Sequence, residues 1–397
     1  MSLPQSDSIC QLYMIDLEGV LIPPAKYFIE PVQTGHRYLN LKSYAWLIIN
    51  EKTKKHILFD LGFRKDWENS TPLVQKIVAT ALPGIKIETD VPTVLHINGL
   101  DLNEISAAIL SHWHMDHTGN LSLFPKSTTA IFGPKWKKNF GTWYPTNSES
   151  PYHQYEFEGR EVIELNEDEF DEDIAGFGAY DYFGDGSFYV LQAPGHTAEH
   201  ICGLVRTTPS SATEESTFVL LGGDSCHFMG VMRPTPANPL PETLSDKHIP
   251  KSPSSLSLPC PCTIWTHNHP RATDDHARTT AFYQPSDDEA RYYLDHAQAM
   301  ETISKLQALD ANPNVLVTIA HDPSLGEVLP KLDSKTDGLH GKEVNGWKKQ
   351  GWKQKLMWSF LKELPRDAKP GMPHLVDGQY RAGELIQTVE EWGEKYL

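Results

Sequence analysis

The chain has 397 residues, and its 35 lysines and arginines face 52 aspartates and glutamates, which gives a net charge of −17 at pH 7. This acidic balance argues against a nucleic-acid surface, where a basic stripe is expected. The amino terminus lacks the features of a secretory signal, and no apolar run reaches membrane-spanning length. Five cysteines favour reduced thiols over a disulfide framework. We therefore predict a cytoplasmic protein without nucleic-acid or membrane partners. A homodimer is one possible assembly.

The first predicted elements are a β-hairpin and a helix. Residues 43–50 and 56–60 have the apolar, branched composition of two strands joined by a polar turn. Residues 73–82 have helical spacing and stop before a Pro-Gly pair. Residues 102–108 are predicted to begin as a helix. Residues 108–111 are predicted to be the strand that leads into a turn rich in histidine.

The second half of the chain combines an irregular insert with long helices. Residues 233–262 are rich in proline and serine, so we predict no regular structure there and expect the insert to cover a site. Residues 287–309 predict one long helix, and residues 346–364 predict an amphipathic helix packed on the core. We assign residues 1–325 to the main domain and residues 326–397 to a C-terminal extension packed on it.

Histidines and an aspartate are concentrated in the segment His-Trp-His-Met-Asp-His, which starts at His112. Imidazole nitrogens and a carboxylate at the end of a strand are typical ligands of a borderline transition metal, most naturally zinc. In an extended chain His112, His114 and Asp116 point to one side. His117 turns the other way unless the chain bends, which Gly119 permits. One turn could therefore serve two neighbouring metals.

This segment resembles the His-x-His-x-Asp-His signature of the metallo-β-lactamase superfamily. Further motifs of that superfamily follow in the same order along the chain. They are the Asp-x-Gly turn at 60–62, the Pro-Gly-His-Thr turn at 194–197, the strand ending at Asp224 and the strand ending at His321. The resemblance implies an α/β fold, a four-layer αββα sandwich with the metals at one edge of the two sheets, and makes residues 1–325 its catalytic domain.

The resemblance also implies a ligand set for two zinc ions. One ion would take His112, His114 and His196, the other would take Asp116, His117 and His321, and Asp224 would bridge them. Two metals held ~3.5–4 Å apart can share a hydroxide, because coordination brings the pKa of bound water to ~7. This bridging hydroxide would attack a polarised carbonyl. Asp116 would orient it and pass a proton to the leaving atom.

Other residues concern the substrate. His227 stands where the resembling N-acyl homoserine lactone lactonases carry a tyrosine that contacts substrate oxygen, so we treat it as a hypothetical oxyanion donor or leaving-group acid. Trp113 lies between two ligands and is expected to line the pocket. Phe63 and Trp67 are expected to add apolar wall. Such a pocket suits a flat or acyl-bearing small molecule.

Within the superfamily the chain is most similar to the lactonase-like branch and to its fungal members, some of which detoxify plant benzoxazolinones by opening the lactam or carbamate ring. The resemblance implies a dinuclear zinc hydrolase that opens a lactone or γ-lactam, with the benzoxazolinone type included. Three alternatives stay open. They are a thioesterase of glyoxalase II or polyketide-releasing type, a mononuclear iron dioxygenase, and a non-catalytic, metal-stabilised binding protein.

Overall fold

The computed structural model describes residues 3–211, 213–246, 248–249, 256–289 and 291–396. Its strands are β1 (Cys10–Ile22), β2 (Ile29–Glu30), β3 (Leu41–Asn50), β4 (His56–Phe59), β5 (Gly84–Lys86), β6 (Ile105–Leu110), β7 (Thr129–Phe132), β8 (Val162–Glu164), β9 (Glu172–Ile174), β10 (Phe177–Asp181), β11 (Phe188–Gln192), β12 (Ile201–Thr208), β13 (Thr217–Leu221), β14 (Thr243–Leu244), β15 (Cys260–Pro261), β16 (Gln284–Pro285), β17 (Val315–Thr318), β18 (Lys331–Leu332), β19 (Gly378–Arg381) and β20 (Glu384–Thr388).

The α-helices are shorter and lie between these strands. They are α1 (Pro72–Ala81), α2 (Val91–Ile97), α3 (Met115–Thr118), α4 (Trp136–Phe140), α5 (Gln154–Phe157), α6 (Thr263–Thr266), α7 (His296–Asp310), α8 (Leu325–Val328), α9 (Trp352–Leu356) and α10 (Val389–Tyr396). Turns of 3₁₀ helix lie at Ala25–Tyr27, Trp67–Asn69, Leu102–Glu104, Leu121–Leu123, Glu167–Glu169, Met229–Val231, Asp274–Arg278, Val344–Gly346 and Ser359–Lys362.

Two mixed sheets form the centre of the molecule. The first runs in the order β20-β19-β5-β1-β3-β4-β6-β7-β8, and β18 pairs with β1. The second runs in the order β17-β13-β12-β11-β10-β9. Strands β4, β6 and β7 pair in parallel. Parallel strands are covered on both faces, which explains why β6 is apolar along nearly its whole length rather than alternating.

Helices cover the outer faces of both sheets. Trp46 and Ile109 of the first sheet pack against Val190 of the second in the interior of the sandwich. Val94 of α2 packs on the outer face of the first sheet. Leu306 of α7 packs on the outer face of the second. The predicted four-layer αββα arrangement is therefore confirmed.

Local predictions were right where the pattern was strong. The hairpin β3–β4 and the helix α1 are confirmed, with small shifts at their ends. The helical start predicted over 102–108 was wrong, because only a 3₁₀ turn precedes the strand that begins at Ile105. The helix predicted over 346–364 was also wrong. That stretch holds only the short α9 between 3₁₀ turns, and Gly351 with a φ of 67° separates the pieces.

The long helix predicted from residue 287 starts later, at His296. Asp295 caps it by accepting a hydrogen bond from the Gln298 backbone N–H. The residues before it are held by tertiary contacts instead, because the Leu294 backbone N–H donates to the His196 carbonyl over 3.0 Å. Tertiary hydrogen bonds therefore replaced the helical bonds that local spacing favoured.

The C-terminal segment, residues 326–397, adds strands to the first sheet. β18 pairs in parallel with β1, and the hairpin β19–β20 joins the sheet beside β5. The indole N–H of Trp392 donates to the Ala79 carbonyl at 2.9 Å. Trp347 is buried between the two sheets. The boundary at residue 325 stays a prediction.

The predicted insert, residues 233–262, lies partly outside the described residues, at positions 247 and 250–255. Its described part includes the paired strands β14 and β15. At its start, the Arg233 guanidinium forms a buried two-point ion pair with Asp310 at 2.6 and 2.8 Å. Among the described helices, none has the length and apolarity required to cross a membrane. All five cysteines are buried and free.

Candidate metal centre

The residues of the predicted site meet at one edge of the sandwich. The turn that starts at His112 follows the end of β6, and its last residues form α3. Asp224 follows β13 and His321 follows β17, and these two strands pair in parallel, so their carboxyl ends share one edge. His196 comes from the loop after β11. The sheets thus bring together side chains from distant parts of the sequence.

Three histidine nitrogens form the first cluster. The Nδ1 atom of His114 lies 2.8 Å from the Nε2 atoms of both His112 and His196, and those two Nε2 atoms are 3.1 Å apart. Burial lowers the pKa of His112 and of His196 well below the usual range, and it lowers the pKa of His114 to about 4. All three rings are therefore neutral at pH 7, the form in which imidazole binds a metal.

The second cluster is built around carboxylates. The Nε2 atoms of His117 and His321 each lie 3.0 Å from Asp224 Oδ1, and His321 Nε2 is 3.4 Å from Asp116 Oδ2. Burial alone would lower the pKa of His117, but Asp224 and Asp60 outweigh it and raise that pKa well above its usual range. Burial also acts to lower the pKa of His321, but Asp224 outweighs this effect and raises that pKa above its usual value.

Asp224 lies between the two clusters and presents one oxygen to each. Its Oδ2 atom is 3.7 Å from His112 Nε2 and 3.5 Å from His196 Nε2, whereas Oδ1 faces His117 and His321. The groups His112, His114, His196, Asp224 and Asp116, His117, Asp224, His321 each hold ligand atoms within 4.8 Å of one another.

Three buried polar atoms of the site have no hydrogen-bond partner among the described residues, and this shows whether the site suits cations. Asp224 Oδ1 and the Nε2 atoms of His117 and His321 are buried and lack a partner with hydrogen-bond geometry. Buried polar atoms in proteins almost always have one. Divalent cations coordinated by these atoms would satisfy all of them at once, so the residues fit a pair of metal ions.

Hydrogen bonds behind the ligands fix the orientation of the rings. His117 Nδ1 lies 2.7 Å from Asp60 Oδ2. Asp60 in turn accepts from the backbone N–H of Ser111 at 2.7 Å and from its hydroxyl at 2.9 Å. His321 Nδ1 donates to the Lys42 carbonyl at 2.7 Å. Such contacts select the tautomer that leaves Nε2 free for a metal.

His200 is a buried supporting residue behind the ligands. Its Nδ1 donates to the Ala193 carbonyl at 3.0 Å, so its Nε2 accepts from the Asp224 backbone N–H at 2.9 Å. It thereby fixes the chain that carries the carboxylate between the clusters. The sequence gives no local signal for this role, because it depends on the meeting of two loops.

Asp60→Asn tests the support of the second cluster. We expect metal affinity or activity to fall about 10–100-fold, since the amide cannot hold the imidazole of His117 as a carboxylate does. Isothermal titration of the ion-free protein with zinc would measure the change. Asp66→Asn, in a partly exposed ion pair with Arg64, serves as the control. Equal affinity in the Asp60→Asn variant and the unmodified protein would contradict the assigned support.

A largely apolar cavity opens onto the site. It encloses about 620 Å³, counted with its mouth. Trp113 lines it as predicted, beside His114, Asp116, Asp224 and His227. The rest of the wall comes from other parts of the chain, namely Leu21, Pro23, Phe28, Leu41, Val74, Ile77, Ala81, Leu82, Met115, His196 and Tyr292.

Phe63 and Trp67 lie away from this cavity. Phe63 is fully buried in the core, and the Trp67 indole N–H donates to the Tyr380 carbonyl at 2.9 Å. Neither residue is among those that line the cavity. α1, which follows them in the chain, supplies part of the apolar wall instead.

His227 lies at the site, with partners that the sequence did not reveal. Its Nε2 atom lies 2.9 Å from Asp224 Oδ2, and its Nδ1 atom lies 3.0 Å from the Tyr293 hydroxyl. The ring of Phe28 packs on it at 4.4 Å, and Tyr292 stacks on Phe28 at 5.1 Å. These aromatic residues were missed because they come from the amino-terminal region and from the segment before α7.

Comparisons with known proteins identify the class to which this fold and this candidate metal site belong. A family model described as the metallo-beta-lactamase superfamily matches residues 40–206. The chain is 34% identical to "Gamma-lactamase FDB1" of Fusarium pseudograminearum (strain CS3096), over 97% of this chain and 91% of that protein. It is 38% identical to "Gamma-lactamase MBL2" of Gibberella moniliformis (strain M3125 / FGSC 7600), over 63% of this chain and 100% of that protein.

A solved structure from work on "Indirect contributions of mutations underlie optimization of new enzyme function" matches 83% of this chain and 98% of its own. The TM-score is 0.50 at 15% identity, which supports the fold alone. The sequence matches establish more. The chain belongs to the metallo-β-lactamase superfamily, and it is a hydrolase of the lactamase and lactonase type.

Proposed function

We propose that this protein is a dinuclear zinc hydrolase that opens the ring of a small γ-lactam or lactone, including the benzoxazolinone type. The observation that carries the proposal is the position of Asp224, whose two carboxylate oxygens face different ligand clusters. A carboxylate in this position suits a pair of ions better than one ion, because each oxygen has its own set of histidines. Zinc agrees with the imidazole-rich ligand set.

The cavity supports a small, mainly apolar substrate. Apart from the metal-centre residues and His227, its wall is made of aliphatic and aromatic side chains, and Tyr292 adds one hydroxyl. Pockets of this kind bind organic molecules by burial and use few polar groups for orientation. Similarity to proteins named gamma-lactamases favours a cyclic amide over other compounds of that size.

Different residues of the chain would take part in different steps of ring opening. Bound ions would supply an activated hydroxide at neutral pH and would polarise the substrate carbonyl. Asp116 lines the cavity and lies beside His321, so it can orient the attacking water and pass a proton to the leaving atom. His227 also lines the cavity and can donate a proton through Nε2. Trp113 and Tyr292 hold the ring of the substrate and exclude bulk water.

The deciding experiment combines metal analysis with a substrate panel. We expect about two zinc ions per chain and turnover of lactams or lactones that exceeds turnover of acyl thioesters by at least ~10-fold, a preference that differences in pocket contacts can supply. Preferred turnover of thioesters would favour the thioesterase alternative. One iron without zinc would favour the dioxygenase. Bound metal without any turnover would favour the non-catalytic binding protein.

A cytoplasmic role in detoxification belongs to the same proposal. The buried, free cysteines agree with a reducing compartment. Fluorescence microscopy of the tagged protein would test the location, and growth of a deletion strain on the preferred substrate would test the role. A homodimer stays a hypothesis that light scattering can decide.

His227→Ala tests the proton donor. We expect turnover to fall about 10²-fold with metal content unchanged, which is the usual contribution of a general acid. The fall should be larger for a lactam than for the matching lactone, because nitrogen is the poorer leaving group. Steady-state kinetics on the pair would measure this ratio. Turnover equal to that of the unmodified protein, with intact metal content, would remove His227 from the mechanism.

A further inference from the structure

His227 and His321 line a second cavity, which we call the inner cavity. Asp322, Lys362 and Glu363 also line it, together with Asn40, Phe228, Met229, Ile319, Pro323, Ser359 and Phe360. The inner cavity has room for about one water molecule. Its lining thus places an amide, an ammonium and two carboxyl groups next to the imidazoles of His227 and His321.

A third cavity, which we call the outer cavity, adjoins the inner one and opens to the surface. Asn40 and Glu363 line both cavities. The outer cavity encloses about 710 Å³ counted with its open mouth, and its other lining residues are Gly35, His36, Arg37, Tyr38, Pro370, Met372 and His374. Asn40 and Glu363 therefore lie between the outer cavity, which opens to solvent, and the inner cavity, which borders His227 and His321.

Glu363 occupies the junction between the two cavities. It is only 6% exposed, and its Oε1 atom accepts hydrogen bonds from the Asn40 backbone N–H at 2.8 Å and from the Asn40 side-chain amide at 3.3 Å. Burial raises the pKa of Glu363 to about 7, while Asn40 and Lys362 lower it and Asp322 raises it. The carboxyl can thus take up and release a proton near neutral pH.

The neighbouring titratable groups are less suited than Glu363 to carry a proton. The Lys362 ammonium is held by Glu327 at 2.5 Å. His36 donates through Nδ1 to the Tyr283 hydroxyl, and burial lowers its pKa to about 3, so it stays neutral. Arg37 is exposed, and His374 lies at the outer end of the passage.

Opening a lactone ring releases a proton that has to leave the site. When a lactone is hydrolysed, the acyl–oxygen bond of the ring breaks and a new acyl–oxygen bond forms to water. One proton of that water goes to the leaving alkoxide, and the other is released as the product acid ionises to a carboxylate. Among the described residues that line the substrate cavity, the carboxyl and imidazole groups are those of the metal centre and of His227, which would adjoin the bound product.

We propose that Glu363 relays the proton released by ring opening from the metal centre to solvent, through water in the inner cavity and then through the outer cavity. The inference rests on the proposed function, because it needs a hydrolytic reaction that liberates a proton. It assigns the two sides of the site different tasks. Substrate and product use the substrate cavity, and the proton leaves past Glu363.

The test uses the full, metal-loaded protein and a lactone that it opens. We expect Glu363→Gln to lower kcat about 10-fold with KM within about twofold, because proton transfer is slowed while substrate binding is not. Small buffers such as formate or imidazole should restore kcat by entering the outer cavity, and bulky buffers should not. A pH indicator in stopped flow should show proton release lagging behind bond cleavage in the variant only.

Glu156→Gln is the matched control, because Glu156 is another buried carboxyl whose pKa burial raises to about 7, and it pairs with Arg64 away from these cavities. The relay is overturned if both variants lose activity equally, if small buffers restore nothing, or if kcat of Glu363→Gln equals that of the unmodified protein. A variant that does not fold would be replaced by Glu363→Asp, which should retain part of the relay.

The relay and the proposed function fail in different ways. If the unmodified protein opens neither lactams nor lactones, the proposed function fails, and the relay falls with it. If it opens them and Glu363→Gln is unaffected, only the relay fails. A crystal structure of the metal-loaded protein gives a readout independent of turnover. We expect a water bonded to Glu363 in the inner cavity that disappears in Glu363→Leu, and a dry cavity in the unmodified protein would overturn the passage.

Discussion

Replacing Asp224 by asparagine is expected to abolish most activity, with a loss of ~10³-fold or more, which corresponds to about 4 kcal/mol of lost transition-state stabilisation. The carboxylate is nearly fully buried and faces histidines of both clusters, so its neutral amide analogue would weaken both ion sites together. Inductively coupled plasma analysis should show fewer than two ions per chain in the variant. Kinetics on the preferred lactam or lactone measure the loss.

Asp16→Asn provides the control for this substitution. Asp16 is also buried, but it pairs with Lys42 and Lys331 rather than with the histidines. We expect its metal content to be unchanged and any loss of activity to follow its loss of stability. Full metal content and near-normal turnover in Asp224→Asn would contradict the role assigned to this carboxylate.

Removing the ions by chelation is expected to abolish turnover and to lower the melting temperature by about 5 °C or more. An ion present at a concentration 1,000-fold above its Kd contributes ~4 kcal/mol to the folded state, and a change of this size moves the melting point of a domain by several degrees. Differential scanning calorimetry before and after dialysis against a chelator measures the shift. Restoring zinc should restore both the melting point and activity.

The difference between the loaded and ion-free melting points should widen as the pH rises from about 6 to about 8. In the ion-free chain, His117 and His321 have raised pKa values, so the stability they contribute is fully present below the unfolded value of 6.5 and is lost as the pH rises through the folded values. Ion binding displaces their protons, which becomes easier at higher pH. His114 has a pKa of about 4 and is neutral in the folded protein over this range, with or without ions. It therefore adds nothing to the pH dependence of the difference between the two melting points.

A constant or narrowing difference would contradict the placement of His117 and His321 beside carboxylates in the ion-free protein. Asp60→Asn offers a second check on the same electrostatics. Asp60 is one of the two carboxylates that raise the pKa of His117. Its loss should shift the rise in the melting-point difference to lower pH, because a less basic imidazole gives up its proton sooner.

Sequence reasoning predicted the metal centre far better than the substrate cavity. The turn from His112 to His117 carries its ligands within one short segment, and the other ligands end apolar strands that are recognisable by composition. Residues fixed by strand ends keep their positions relative to the sheet whatever the loops do. The folded chain therefore brings these residues together around Asp224.

The residues that line the cavity could not be predicted in the same way. Phe63 and Trp67 follow Asp60 closely in sequence, yet they pack into the core and against β19, while Phe28 and Tyr292 come from remote loops to contact the site. Proximity in sequence does not set the direction of a side chain after a turn. Burial of apolar area decides it, and that depends on every element packed nearby.

The superfamily, the layered fold and residues suited to binding metal ions could be predicted from the amino-acid sequence, because these depend on strand composition and on ligand chemistry that is local to strand ends. Three features became visible only in the folded chain. They are the division of the Asp224 oxygens between the two clusters, the support of the site by Tyr293 and His200, and the position of Glu363 between two cavities. Each of these depends on contacts between segments far apart in the chain. Such contacts arise from tertiary packing, and they produce no periodic or short-range pattern in the amino-acid sequence.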